Sequence, residues 1–380
     1  MNHKKIKLVR LTTHSQTLGL LKGQIGFIGK EMDVILVAKD TGNLRQLAAS
    51  EGVQYRDIDM HREINIVADL KSLVALIKLF RHERPDIVHA NTPKGALLGL
   101  LAAWICRVPK RIYNVNGLRF ETATGNLRRF LVAMEKIACI CATKVIPQSN
   151  GVADVVRQNC ITSKPLNVIL NGSGNGVDIN YFNPELTDVK TKAQEIQGGF
   201  EAVNYVFVGR LVGDKGVNEL VEAFCRLNAE YPDTKLHLVG GREETLDALR
   251  PETIEKIETN SAIIEHGRQS DVRPFLRASD VFVLPSYREG FPNVVLEAMA
   301  MSKPCIATDV NGAMDAIEHG KTGFIIPKRD VDILYYTMAT LYSDSTLRVS
   351  MGEAARLRVS ALFNCQDVWR ATLDMYHNLF

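Results

Sequence analysis

The chain has 380 residues, 46% of them apolar and 23% charged, the balance of an ordinary soluble globular protein and enough for two domains of about 150 to 200 residues each. No apolar run reaches the roughly 18 residues a membrane span requires; the longest, Gly95 to Cys106, is closed by Lys94 and Arg107. The net charge of +3 hides an asymmetry: residues 1–180 carry 25 Lys and Arg against 14 Asp and Glu, and residues 181–380 carry 21 against 29. A basic first half points to an anionic partner, either phospholipid headgroups or a phosphate-bearing substrate. No nucleic-acid-binding motif accompanies the charge, so nucleic acid is not expected. The seven scattered cysteines, an odd number, fit a reduced, cytoplasmic protein, and the basic N-terminus runs into a strand-like segment without a signal-peptide cleavage site.

Strand-type and helix-type segments alternate from one end to the other, the pattern of parallel sheets covered by helices. In the first half the strands are expected at Ile6–Leu11, Asp33–Ala38, Ile87–His89, Arg111–Val115 and Lys144–Pro147. Amphipathic stretches such as Asp69–Phe80 and Arg128–Ala142 lie between them, and the basic residues of the second either form a solvated face or meet a membrane surface. Cys139 and Cys141 diverge on a helix, which argues against a metal site there. Asp57-Ile-Asp59 has the form of a divalent-ion triplet but is short enough to arise by chance.

Asn167 to Asp178, rich in Gly and Asn, marks a domain entry. Its glycines do not complete a G-x-G-x-x-G dinucleotide fingerprint, because position 177 is valine. Residues 181 to 201 are polar and read as a loose connection. Beyond them the alternation resumes, with strands expected at Tyr205–Gly209, Lys235–Val239, Ala262–Glu265, Val281–Pro285, Pro304–Thr308 and Phe324–Pro327, and a terminal helix over Asp367–Tyr376. The boundaries that follow are 1–175, 176–365, and a helix over 366–380 in a position to cross back to the first domain. The fold class is α/β, two Rossmann-like doubly wound domains, with ligands expected at the carboxyl ends of strands.

Two stretches carry chemistry. Gly209-Arg210 and Lys215 lie on a glycine-containing turn between a buried strand and a helix, where two cations suit a diphosphate, although cations on a surface turn also serve simply as solubilisers. Glu289-Gly290-Phe291-Pro292-Asn293-Val294 leads into a helix that carries Glu297, so two carboxylates flank a helix N-terminus that attracts phosphate or sugar hydroxyls. Read alone, the two glutamates equally describe a solvated helix cap. Together, the two stretches suit a nucleotide diphosphate carrying a polyol.

Arg210 with Lys215, and Glu289 and Glu297 with seven residues between them, resemble the family-4 retaining glycosyltransferases of the two-domain GT-B fold, whose domains face each other across a cleft. The resemblance continues in Ala278–Ser286, Pro304–Asp309 and Lys321–Phe324. The first half is similar to the bacterial subgroup that builds capsule and lipopolysaccharide repeat units, in Lys22-Gly23-Gln24, in His89-Ala-Asn-Thr-Pro-Lys94 and in Asn116–Gly125.

The resemblance implies a nucleotide-sugar donor, expected to be UDP-linked, and a polyprenyl-diphosphate-linked saccharide acceptor, and the basic first half adds contact with the anionic inner-membrane surface as a further expectation. It also implies roles. Arg210 and Lys215 would stabilise the leaving diphosphate, and Glu289 would contact the donor sugar. Glu297 would hold the ribose, with Gly209 and the backbone from Gly290 to Val294 around the sugar and phosphate. Gly23, His89, Lys94 and Asn116 would lie on the acceptor or sugar side. No metal or cofactor is expected, since two cations already face the phosphates. The chain departs from the family pattern at Asn116-Gly117, where many members have His-Gly; asparagine can hydrogen-bond a hydroxyl but cannot act as a charged acid. Two other activities stay open at this stage, a sugar-nucleotide epimerase on the same fold and a non-catalytic sugar-nucleotide-binding subunit.

Overall fold

A computed structural model describes residues 5–61, 65–199, 202–243 and 247–380. The chain divides into two compact units, residues 1–175 with 365–380, and residues 176–364.

Unit 1 runs β1 (Lys7–His14), α1 (Ser15–Gly19), α2 (Gln24–Gly29), β2 (Asp33–Lys39), α3 (Leu44–Glu51), β3 (Gln54–Asp57), α4 (Ile66–Glu83) and β4 (Ile87–Asn91). It continues through α5 (Pro93–Ile105), β5 (Lys110–Val115), α6 (Gly125–Cys141), β6 (Lys144–Pro147) and α7 (Asn150–Gln158). Its six strands are parallel, in the order β3-β2-β1-β4-β5-β6. The central strands are buried on both faces, which is why they read as near-continuous apolar runs. One face packs under α4, α5 and α6 through Leu76, Phe80, Leu100 and Leu131, and the other carries Leu8, Ile87, Ile112 and Ile146.

Unit 2 runs α8 (Thr187–Gln197), β7 (Val203–Val208), α9 (Val217–Glu230), β8 (Thr234–Val239), α10 (Pro251–Thr259), β9 (Ile263–Gly267), α11 (Arg273–Ala278) and β10 (Val281–Leu284). It closes with α12 (Asn293–Ala300), β11 (Cys305–Thr308), α13 (Asn311–Ala316), β12 (Gly323–Ile326), α14 (Val331–Ser343) and α15 (Ser345–Leu362). Its order, β12-β11-β10-β7-β8-β9, repeats that of unit 1. In each unit the first strand lies between the second and the fourth, and the connections leave in opposite directions from that pair. This is the switch point at which doubly wound sheets open a crevice.

The last helix, α16 (Cys365–His377), belongs to unit 1. Its Trp369 ring stands 5.9 Å from Phe27 and covers Gly23, and its Nε1–H donates to Asn175 Oδ1 (2.7 Å). Tyr376 is fully buried on the sheet.

Two expectations from the sequence fail. The segment 181–201 is no loose connection: residues 187–197 form α8, which packs on α11 through the buried Val189 and Ala193. With two buried positions in an otherwise polar helix, the apolar period is too thin to see. β3 is the other miss, an edge strand of Gln-Tyr-Arg-Asp whose side chains are exposed or half-buried, so it lacks the apolar run that marks its neighbours.

Candidate active site

In unit 2 the switch point lies between β7 and β10, which are hydrogen-bonded neighbours. Beyond Val208 the chain is stitched to the end of β8: Gly209 N–H donates to Val239 O (3.0 Å) and Leu211 N–H to Gly241 O (2.9 Å). A β-carbon on Gly240 would stand 1.7 Å from Gly209 O, so only glycine admits this approach. The chain then makes a single 3₁₀ turn, Gly213–Lys215, and enters α9 through Gly216 at φ 70°. A β-carbon on Gly216 would meet Pro285 O at 2.0 Å. The β7–α9 loop is thus pressed directly against the end of β10.

From β10 the loop runs back alongside it. Tyr287 N–H donates to Asp214 O (2.8 Å), and Arg288 Nη2 lies 3.4 Å from Asp214 Oδ2. The Gly290–Phe291 backbone rests on α13, where a β-carbon on Gly312 would be 2.5 Å from Phe291 Cα. Phe291 buries its ring 5.6 Å from that of Phe363, which leaves only its backbone for a ligand. Pro292 caps α12, and the N–H groups of the first turn, from Asn293 and Val294, face outward as at any helix start.

The two loops bring Lys215 and Glu289 into a hydrogen-bonded ion pair, both side chains partly buried. Arg210 is more exposed and is paired instead with Glu243, beyond β8. Glu297, one turn into α12, keeps some exposed surface yet loses most of its carboxylate hydration to the surrounding apolar helix and sheet. That desolvation raises its pKa to about 7. No described residue donates a hydrogen bond to it. The switch point therefore offers two cations, each paired with an acid, a helix start, and a carboxylate poised between its charged and neutral forms.

Gly209, Arg210, Lys215, the segment from Glu289 to Val294, and Glu297 all follow the carboxyl ends of the neighbouring strands β7 and β10. The positions singled out in unit 1 do not form one cluster. Gly23, at φ 83°, donates its N–H to both oxygens of Glu51 (2.9 and 3.0 Å) and lies under Trp369. Lys94 is buried in the first turn of α5, 2.7 Å from Asp69 on α4. His89 is buried in β4, with Nδ1 2.6 Å from Tyr376 Oη. Asn116, just past β5, accepts from Asn114 Nδ2 (2.5 Å) and, at 3.5 Å, from Asn91 Nδ2. The sequence did not point to a row of polar residues, the buried Arg10, Asn91 and Asn114 and the half-buried Gln148, which line a cavity with His89. Arg10, a lone charge within an apolar strand, was the signal for it. The Asp-x-Asp triplet is already satisfied: Asp59 pairs with Lys39 (2.7 Å) and His61 (3.2 Å), and Asp57 accepts from Asp40 N–H (3.0 Å). Among the described residues no three His, Cys, Asp or Glu side chains are grouped to hold a metal ion.

The family model for glycosyl transferases group 1 matches residues 194–358, and that for the glycosyl transferase 4-like domain matches residues 27–172. The capsular polysaccharide biosynthesis glycosyltransferase CapM of Staphylococcus aureus is 36% identical over 376 residues, which cover 98% of this chain and 97% of that protein. The chain belongs to this glycosyltransferase family. A second relative of the enzyme is the Escherichia coli UDP-Gal:alpha-D-GlcNAc-diphosphoundecaprenol alpha-1,3-galactosyltransferase, 28% identical over 388 residues, covering 98% of this chain and 97% of that one. Among solved structures, Anabaena Alr3699/HepE in complex with UDP and glucose matches with a TM-score of 0.80 at 20% identity, covering 98% of this chain and 100% of that one. The GT-B architecture expected of this glycosyltransferase is the fold found, and the strand order of both units explains why its ligand-facing loops fall at the first and fourth strands.

Proposed function

We propose that this glycosyltransferase moves a sugar from a UDP-linked donor to a hydroxyl of a polyprenyl-diphosphate-linked saccharide, with retention at the anomeric carbon, in the synthesis of a bacterial surface polysaccharide. The observation that carries the reading is the meeting of Lys215 and Glu289 at the switch point of unit 2. A donor diphosphate entering there draws Lys215 away from Glu289 and Arg210 away from Glu243, so each acid is released as each cation is engaged. Negative charge grows on the diphosphate as the glycosidic bond breaks, and the cations stabilise the transition state more than the ground state. Freed from Lys215, Glu289 accepts hydrogen bonds from the donor sugar. Glu297 accepts from the ribose hydroxyls, and the N–H groups of Gly290, Phe291, Asn293 and Val294 face the sugar and phosphate. Gly209 keeps the backbone close to the phosphates. Unit 2 is then the donor domain and unit 1 the acceptor domain, with Gly23, His89, Lys94 and Asn116 on the acceptor side. In this reading the Glu289 and Glu297 carboxylates are engaged by sugar and ribose hydroxyls rather than aimed at the anomeric carbon, which favours front-face substitution in which the leaving phosphate takes the acceptor proton. The Escherichia coli relative, named for a diphosphoundecaprenol-linked substrate, supports the choice of acceptor.

Unit 1 also bears the face for a membrane-bound acceptor. The outer sides of α4, α5 and α6 expose Val67, Leu70, Val74, Trp104, Phe130 and Ile140. Lys71, Lys78, Arg129 and Lys136 lie on the same helices. Such a mixture suits the headgroup region of an anionic bilayer at the cytoplasmic face of the inner membrane. No helix among the described residues is long and apolar enough to cross a membrane.

The test is product analysis with ¹³C-labelled UDP-sugars, with and without a polyprenyl-diphosphate-linked acceptor. An α-linked product from an α-linked donor, formed only when acceptor is present and undiminished by EDTA, is expected. Conversion of the donor without acceptor would mark an epimerase, and activity lost in EDTA but restored by Mg²⁺ would remove the metal-free mechanism.

A further inference from the structure

Parallel pairing sets Arg10 of β1 beside His89 of β4, and one row further on sets Asn91 of β4 beside Asn114 of β5. These residues lie on the sheet face that otherwise carries Leu8, Ile87, Ile112 and Ile146. Together with Gln148 they line a cavity roofed by Gly172, Ser173 and Gly174 and by Thr372 of α16. Arg10, His89 and Asn91 are 3%, 2% and 3% exposed.

The charge here is unbalanced. Arg10 donates through Nη1 to Tyr376 Oη (2.6 Å), and among the described residues it has no carboxylate partner. A guanidinium this deeply buried is ordinarily paired with an acid, because burying an isolated charge is expensive. His89 cannot supply the missing negative charge. Burial, and then the Arg10 charge, keep its pKa well below the usual histidine value, so it is neutral.

The hydrogen-bond chain fixes where the protons are. Since Tyr376 Oη accepts from Arg10, its own proton is free to go to His89 Nδ1, 2.6 Å away. His89 then carries its proton on Nε2. Among the described residues, neither His89 Nε2 nor Arg10 Nε, both buried, has a partner. Asn91 Oδ1 is also unpartnered, and a half-turn of that amide would present its NH₂ at the loss of only the 3.5 Å bond to Asn116. Two orphaned donors, a third within reach and an uncompensated positive charge thus border one cavity.

We infer that unit 1 holds a buried binding site for a single monatomic anion of halide size, seated on Arg10 and His89 beneath residues 172–174. A water molecule would satisfy the donors but leave the charge, whereas an anion answers both. The cavity is narrow, with about 20 Å³ open to a water-sized particle, which suits a single small anion. Because its walls include residues 172–174 and α16, an anion here would fasten both ends of the discontinuous unit to its sheet. The inference stands apart from the donor-site reading and survives its failure.

Crystals soaked in sodium bromide and measured at the bromine absorption edge test it directly, with an anomalous peak expected beside Arg10 and His89. In solution, the melting temperature is compared in sodium chloride and in sodium isethionate, whose bulky anion does not fit, at equal ionic strength. The wild type is expected to melt several degrees higher in chloride. Arg10→Met, which keeps the side chain's length and removes its charge, is expected to lose that difference. Density in the cavity without anomalous signal is the mark of water and overturns the inference, as does an undiminished chloride effect in Arg10→Met. Should that variant fail to fold, the bromide experiment decides.

Discussion

The two units are built on one strand order yet fill their central crevices with opposite chemistry. Unit 2 holds Lys215, Glu289 and Arg210 at or near the surface, paired with one another or with Glu243, where a ligand can take a partner's place. Unit 1 sinks Arg10, His89, Asn91 and Asn114 beneath a roof of backbone and α16, with several of their polar atoms left unpaired. A shared scaffold fixes where polar side chains can gather, and the residues at the first and fourth strands decide whether they stay near the surface or are buried.

Removing the cation from the exposed crevice breaks this contrast most sharply. Lys215→Ala is expected to lower kcat about 10² to 10³-fold in a sugar-transfer assay, the loss seen when one preorganised donor to a developing anion is deleted. Its melting temperature should barely move, since a partly exposed pair adds little stability. A loss below tenfold would mean that the pair is mere surface decoration and that the two crevices do not divide the labour as described.

The glycines of the first loop in each unit offer a second comparison. Gly216 faces the Pro285 carbonyl, which is backbone and cannot yield, whereas Gly23 faces the Trp369 ring, which can swing. Gly216→Ala should destabilise the protein by roughly 1–3 kcal/mol in chemical denaturation and disturb donor binding, and Gly23→Ala by the smaller amount of about 1 kcal/mol. Equal costs would show that both loops are equally rigid.

The smallest effect concerns Glu297. Its folded pKa of about 7 lies above the value of 4.5 for an unperturbed glutamate, so the folded state retains a proton that the unfolded chain has already released. Stability from this group is therefore greatest below about pH 4.5 and declines as pH rises towards 7. Binding of ribose hydroxyls runs the other way, because the ionised carboxylate accepts them better, and the donor KM should fall as pH passes 7. Glu297→Gln should flatten both trends and raise the donor KM about tenfold. A pH profile unchanged by the substitution would separate Glu297 from the donor.

What could be read in the sequence follows the same division. Buried parallel strands announce themselves as β-branched apolar runs, so the central strands of both sheets were legible to within a few residues. The unit 2 loops were legible because their charged residues lie between a strand end and a helix start. β3 and α8 were not, since an exposed edge and a two-residue apolar stripe leave little pattern. The polar row of unit 1 stayed hidden for another reason. Asn91 and Asn114 carry no charge and sit in different strands, so their adjacency exists only once strand register is known.

The way the chain enters and leaves unit 2 has a practical consequence. Val177 and Asn364 are bridged side by side, with Val177 N–H donating to Phe363 O (2.9 Å), so the segment's two ends lie a hydrogen bond apart. In covalent terms the second unit is a cassette spliced into the first. Exchanging it for that of a relative through these two neighbouring joints is expected to carry over the donor preference proposed for unit 2 without rebuilding unit 1.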